Sequence, residues 1–245
     1  MKLGISIPTY NEVNNIAKLL KAIKIELSHI KGIETTVVVG DDSSPDDTAG
    51  AVLRSAKELN DETFKIALLT RITKDGYGRA CVAGFMKLLE QDVDFVIQMD
   101  ADMSHDPAYL PAFIEAGKDH DFIVASRYIK GGGTPDWSLK RRLLSRYGNL
   151  YARTILSASI SDYTGGFNMY SSSLLRKVDL STLRAPGYGF MIELKFQALQ
   201  QAKSLYEIPI IFRDRQHGHS KMPKNTLLKN LILVPRIKLE SRSKR

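Results

Sequence analysis

Five stretches in the first half of the chain, residues 3–7, 35–40, 64–69, 94–99 and 121–125, are short, rich in β-branched side chains and apolar at almost every position. Unbroken apolarity of that length predicts strands buried on both faces rather than strands with one wet side. Between them, residues 14–30 set Ile16, Leu19, Leu20, Ile23 and Leu27 at helical spacing, and residues 48–59, 79–89 and 109–117 also read as helices. The order βαβαβαβαβ predicts a parallel, doubly wound α/β sheet. Beyond it the pattern predicts a long basic helix over 139–156, a turn-rich element over 162–168, a helix over 190–201 and a strand over 205–212. No repeat or linker interrupts the chain, so one domain over residues 1–221 and a basic tail over 222–245 is the expected division.

Composition removes several alternatives. With 43% hydrophobic and 25% charged residues in 245, the chain is neither disordered nor collagen-like, and its single cysteine, Cys81, forms no internal disulfide. The neighbours of Cys81 read as a helix interior, which predicts a core thiol and suits a reducing compartment. No apolar run approaches the roughly 18 residues of a spanning helix, and the first residues lack the order of a signal peptide. The net charge of +8 conceals a polarity: residues 1–126 hold 13 Lys+Arg against 20 Asp+Glu, whereas residues 127–245 hold 22 against 7. An acidic half suited to a cation precedes a basic half suited to an anion.

Ligands of doubly wound sheets bind beyond the carboxyl ends of the strands. The segments expected there are Pro8-Thr9-Tyr10-Asn11-Glu12, Asp41-Asp42-Ser43-Ser44, Asp100-Ala101-Asp102 and Ser126-Arg127-Tyr128. Residues two apart in extended chain face the same way, so Asp100 and Asp102 can converge on one hard cation, with substrate phosphates and water completing its shell. Read singly, Thr9, Asn11, Ser44 and Asp46 are helix caps before they are ligand contacts, and Asp102 or Ser104 serves equally well as the cap of the helix near Pro107. Carboxylates gathered at one sheet edge repel one another unless a cation joins them, which favours the ligand reading. The histidines lack zinc spacing; His105 is a candidate neighbour of the metal, and His217 and His219 flank Gly218 in a loop. Gly76-Tyr77-Gly78 lacks the third glycine of a dinucleotide loop, which argues against NAD.

In order, Pro8 to Glu12, Asp41-Asp42-Ser43-Ser44-Pro45-Asp46, Asp100-Ala101-Asp102-Met103-Ser104-His105, Ser126-Arg127-Tyr128, the stretch from Arg141 to Asn149, Asp162-Tyr163-Thr164-Gly165-Gly166-Phe167, and Asp214-Arg215 with Gly218-His219-Ser220-Lys221 resemble family 2 glycosyltransferases of the GT-A fold. The similarity is strongest to dolichol-phosphate (polyprenol-phosphate) mannose synthases and runs from Leu3 to about Lys221. It implies a Rossmann-like nucleotide-sugar domain in which Pro8, Tyr10, Glu12, Asp41 and Asp42 line the nucleoside pocket. Asp100, Asp102 and Ser104 would hold Mg2+ or Mn2+ on the donor diphosphate, although relatives often carry Gln where this chain has Ser104. Arg127, Arg141, Arg215 and Lys221 fall at phosphate-binding positions, Ser145 follows Arg141 on the same helix face, and Glu193 matches an acidic position that orients the sugar. Asn168 departs from the Arg that relatives often place there.

The implied reaction is inverting transfer of mannose from GDP-mannose to a polyprenyl or dolichyl monophosphate. The alternatives are a hexose from a UDP-sugar, a saccharide acceptor, or a non-catalytic nucleotide-sugar-binding subunit. A lipid acceptor predicts a peripheral protein on the cytoplasmic face of a membrane, the endoplasmic reticulum in a eukaryote or the plasma membrane in a prokaryote. The tail suits this, with seven Lys+Arg against one Glu and with Leu227, Leu231 and Val234 at helical spacing. It is expected to lie on the membrane or on a membrane-embedded partner subunit, with the helix over 139–156 as a second contact. The pI of about 9.4 would also suit nucleic acid, but the basic residues are not interleaved with stacking aromatics.

Overall fold

The computed structural model describes residues 1–72, 76–183, 185, 188–214 and 226–243. A seven-stranded sheet runs in the order β3-β2-β1-β4-β6-β5-β7. Its strands are β1 (Lys2–Thr9), β2 (Glu34–Asp41), β3 (Phe64–Thr70), β4 (Phe95–Gln98), β5 (Phe122–Ser126), β6 (Asn168–Ser171) and β7 (Leu205–Pro209). All are parallel except β6, which pairs antiparallel with both β4 and β5. The strand order reverses at β1, between β2 and β4, and that switch opens a crevice at the carboxyl edge.

Both sheet faces are covered, as the continuous apolar strands predict. Leu3, Ile5, Ile7, Val37, Val39 and Ile97 pack against α1 (Ile16–Ser28), α2 (Thr48–Leu59) and α4 (Leu110–Ala116). The alternating residues Val38, Val96, Phe122, Val124 and Tyr170 face α3 (Tyr77–Leu89), α5 (Leu139–Ile155), α7 (Tyr188–Gln201) and α8 (Thr226–Ser243). The predicted stripe of α1 is buried at each of its five positions. Helix α3 lies close on β1 because position 84 has no side chain: a Cβ on Gly84 would fall 2.2 Å from Ser6 Oγ. Cys81 is fully buried in α3, as expected of a core thiol.

Three elements differ from the sequence reading. Residues 162–168 lead into β6, a central strand that the pattern does not announce, followed by the short α6 (Ser172–Leu175). The helix over 109–117 begins as a 3-10 turn at Pro107–Tyr109, with Asp106 accepting from the Ala108 N–H. The last strand stops at Pro209, after which Ile211 bridges to Gly133. Among the described residues, no helix is long and apolar enough to cross a membrane. The tail segment forms α8, whose Val234 and Ile237 are buried in the main core beside α5 and α7.

Candidate active site

The first bends past β1, β2 and β4 each place a residue other than glycine at positive φ: Asn11 at 57°, Ser43 at 53° and Met103 at 65°. Such backbone is held only where its surroundings over-determine it, and it gathers at binding loops. Asp41 supplies much of that determination, accepting from Thr9 Oγ1 at 3.1 Å and from the Ser44 N–H and hydroxyl at 2.9 and 2.6 Å. It is 1% exposed, so its carboxylate shapes the loop from within. Asp42, next along, is buried and ion-paired with Arg71. Glu12 accepts from Asn15 Nδ2 at 2.8 Å, and its N–H donates to Thr48 Oγ1 at 2.9 Å. Asp46 accepts from the Val13 N–H and from Thr48, so the loops after β1 and β2 are fastened together. Burial raises the Asp46 carboxyl, but these donors bring it below its ordinary value.

At the end of β4, two oxygen-bearing side chains are fixed by different supports. Tyr77, at the start of α3, donates its hydroxyl to Asp100 Oδ1 at 2.6 Å and accepts from Gln98 Nε2 at 3.3 Å. The Asp100 N–H donates to His105 Nδ1 at 2.9 Å, which leaves the ring proton on Nε2, 3.8 Å from Asp100 Oδ2. His105 stacks on Phe167 with centroids 5.0 Å apart. Burial pushes its pKa down, and the Asp100 and Asp102 charges oppose that fall. Ser104 donates its hydroxyl to Asp102 Oδ1 at 2.5 Å and its N–H to the same atom at 3.1 Å. Gly166 closes this corner: a Cβ there would lie 3.3 Å from both the Tyr77 hydroxyl and the His105 ring. The donor set is hard oxygen, while the soft Cys81 and Met191 sulfurs lie beneath, accepting from Gln98. That chemistry fits Mg2+ or Mn2+. Among the described residues, no group of three or more His, Cys, Asp and Glu side chains is gathered for a metal, so substrate oxygens would have to complete the shell.

The reversed direction of β6 brings the segment 162–167 to the same edge. There Asp162, fully buried, accepts from Arg127 Nε at 2.6 Å and Nη2 at 2.7 Å, and from the Gly165 N–H at 2.9 Å. Lys195, also fully buried on α7, donates to the Asp162 carbonyl at 2.6 Å. Burial alone would raise the Asp162 carboxyl, but the Arg127 guanidinium holds it down to about 2. Burial pushes Lys195 down to about 8, and the Asp162 charge limits the fall. Arg127 is 6% exposed and faces the rings of Tyr128, Trp137 and Phe212. Its fork anchors the loop before β6, so it sits behind the crevice rather than at its mouth.

Helix α5 opens with Ser138 as its cap and carries Arg141 toward the site, stacked 4.0 Å over Trp137 and bonded to Asp214 Oδ2 at 2.7 Å. Ser145 lies on that face and accepts from the Tyr128 hydroxyl at 2.6 Å. Asn149, a turn further, receives the Tyr163 and Thr164 N–H groups. Glu193 on α7 accepts from the Ala185 N–H at 3.3 Å. Pro8, buried, is the penultimate residue of β1, and Tyr10 follows the strand half-buried. Arg215, His217, His219 and Lys221 lie outside the described residues.

Tyr77, Asp162 and Lys195 escaped functional assignment from sequence. Tyr77 was visible only as part of a failed glycine motif, and Asp162 only as the first residue of a turn-rich signature piece to which no role was attached. A lysine among the apolar residues of a predicted helix was the available signal for Lys195.

A doubly wound sheet with one reversed strand, bearing an Asp-x-Asp pair beyond β4 at the switch crevice, is the GT-A nucleotide-sugar fold. The chain belongs to glycosyl transferase family 2, which residues 5–179 match. It is 35% identical over 243 residues to undecaprenyl-phosphate mannosyltransferase of Micrococcus luteus, covering 99% of this chain and 96% of that one. It is 34% identical over 229 residues to polyprenol monophosphomannose synthase of Mycolicibacterium smegmatis, covering 93% and 83%. Among solved structures it resembles glucosyl-3-phosphoglycerate synthase from Mycobacterium tuberculosis with Mn2+, UDP-glucose and phosphoglyceric acid. The TM-score is 0.66 at 18% identity over 98% of this chain and 79% of that one, a likeness of fold alone.

Proposed function

We propose that this protein transfers mannose from GDP-mannose to a membrane-borne polyprenyl monophosphate, inverting the anomeric carbon, as a peripheral enzyme on the cytoplasmic face of its membrane. The observation that carries the reading is one sheet edge with Asp100 and Asp102 beyond β4 and with Arg127 and Arg141 beyond β5. Both relatives described above carry names of polyprenyl-phosphate mannose transfer and align over nearly the whole chain.

The roles follow from the chemistry. Pro8, Tyr10, Glu12 and Asp42 receive the nucleoside, with Asp41 holding their loop in shape. Asp100 and Asp102 would hold the divalent cation, their carboxylates oriented by Tyr77 and Ser104, so Ser104 would act through Asp102 rather than as a strong ligand itself. The cation, when bound, offsets charge on the departing nucleoside diphosphate. A phosphate monoester has its second pKa near 6, so the acceptor oxygen is largely anionic at neutral pH and needs no protein base. Two phosphate-bearing substrates repel at reaction distance unless cations flank both. Arg141 and Ser145 meet the acceptor phosphate, Arg127 adds charge from behind, and Arg215 and Lys221 serve the diphosphate.

The test is transfer of radiolabel from GDP-mannose, with UDP-glucose in parallel, into organic-extractable lipid with and without EDTA. Label from GDP-mannose that EDTA abolishes is expected; label from UDP-glucose alone overturns the donor assignment. Asp102→Ala is expected to lower transfer by at least about a hundredfold, since it removes a charged group that acts on the leaving group. Wild-type turnover by that variant refutes the metal role.

A further inference from the structure

Lysine is among the residues least suited to the inside of a domain, and Lys195 is fully buried. It lies on α7 in a run with Met191, Ile192, Leu194, Phe196 and Ala198, all of them in the core. An ammonium loses its hydration there, and apolar residues put in the place of buried ionic groups often leave a fold as stable or more so. Stability alone does not account for a charge at this position.

Its contacts lead to the reacting edge. The ammonium donates to the Asp162 carbonyl at 2.6 Å. The carboxylate of the same residue accepts from Arg127 and from the Gly165 N–H, so Asp162 is held at its backbone from α7 and at its side chain from beyond β5. The turn that starts there delivers Gly166 to the metal corner. A Cβ on Gly166 would stand 3.3 Å from the Tyr77 hydroxyl and the His105 ring and 3.6 Å from Asp100 Oδ1. Phe167, the next residue, stacks on His105. Met191, one turn before Lys195 on the same helix face, accepts from Gln98, whose amide also donates to the Tyr77 hydroxyl. One face of α7 thus backs the Asp100 corner twice, through Gln98 and through the turn.

We propose that Lys195 is a positioning residue for transfer: from inside the domain its charge fixes the turn over residues 162–166 against the Asp100 corner. The assignment rests on the reaction proposed above and adds to it a residue that acts only through others.

The charge lies within reach of an assay. Burial pushes Lys195 down to about 8, Arg127 adds to the fall, and Asp162 and Glu207 on β7 oppose it. The other charged groups around it are His105 past β4, Glu193 on α7 itself, which accepts from the Ala185 N–H, and Lys238 on α8, which donates to the Leu156 carbonyl. In the metal corner, burial moves His105 down and Tyr77 and Cys81 up, away from this window. Above pH 8 the neutral amine pulls less on Asp162, so transfer falls. Stability moves the other way: the unfolded chain keeps the lysine proton up to the ordinary value of 10.5, so this group favours the fold increasingly as pH rises from about 8.

The test compares intact wild type with Lys195→Met, whose side chain is similar in length and uncharged. Transfer to polyprenyl phosphate and Trp137 emission are followed from about pH 7 to about pH 9.5, and urea unfolding is measured at both ends. Trp137 is the only tryptophan in the chain and stands 5.3 Å from the Arg127 guanidinium, so it reports the cluster without turnover. Wild type is expected to lose transfer and shift its emission with an inflection near 8. At pH 7, Lys195→Met should show kcat about tenfold lower, KM for the donor within about twofold, no inflection and a urea midpoint at or above wild type. A variant with wild-type kcat, or wild type flat in both transfer and emission, overturns the proposal. So does a lowered urea midpoint with unchanged kcat per folded molecule, which makes Lys195 purely structural. Should the variant fail to fold, the wild-type profiles decide: an inflection near 8 supports the proposal and flat profiles overturn it. If wild type labels no lipid, the proposed reaction falls, and the emission inflection still decides whether Lys195 governs the turn.

Discussion

At the scale of single residues, the site depends on side chains that hold other side chains in place. Tyr77 fixes Asp100 by a directional bond to one oxygen, so Tyr77→Phe should weaken Mn2+ binding in the presence of GDP about tenfold. Titration by electron paramagnetic resonance reads this without turnover, and an unchanged affinity removes Tyr77 from the site. Asp162 bonds Arg127 through its carboxylate and Lys195 through its carbonyl, all in the interior. Losing the carboxylate leaves Arg127 buried without its ion pair and removes the charge that faces Lys195, so Asp162→Asn should cost about 3–5 kcal/mol at neutral pH in urea unfolding. The sign with pH follows from the depressed carboxyl. Its contribution is complete above the ordinary value of 3.8 and is lost as pH falls toward about 2, so the gap between variant and wild type closes across that window. A gap that persists at pH 2 contradicts the ion-pair account. The paired aspartates were legible in the sequence because their two-residue spacing follows an apolar strand. Of their supports, His105 was legible as a neighbour of the pair, whereas Tyr77 was not, because it reaches Asp100 from the first turn of α3, a contact that no periodicity encodes.

Elements were read most accurately where burial is two-sided. The first three strands and α2 match their predicted spans within one or two residues, because unbroken apolar runs are rare outside a covered sheet. Strand β6 went unread, since Asn168-Met169-Tyr170-Ser171 has no apolar run, and its burial comes from β4 and β5 closing on either side. Its reversed course has the larger functional consequence, because it carries the loop from Asp162 to Phe167 to the crevice. The segment read as a separate basic tail forms α8, seated on α5 and α7 through Val234 and Ile237. Ile237→Ala should therefore destabilise the whole domain by about 2 kcal/mol or more, measured as a lowered urea midpoint with an unchanged slope. A variant as stable as wild type would show that α8 contributes nothing to the core.

Across the whole molecule, charge is sorted along the chain, net −7 over residues 1–126 and +15 over residues 127–245. The fold turns this sequence order into a spatial one: acidic loops follow β2 and β4, and cations stand just beyond β5 and on α5. The proposed chemistry needs that arrangement, one side for a cation-bound diphosphate and the other for a lipid phosphate. The most direct measurement is a crystal structure of the protein grown with donor and Mn2+. The account predicts Mn2+ bound by the Asp100 and Asp102 carboxylates against the pyrophosphate, with Asp100 still held by Tyr77 and the nucleoside beside Asp42. Donor bound with both aspartates turned away from the pyrophosphate would contradict it.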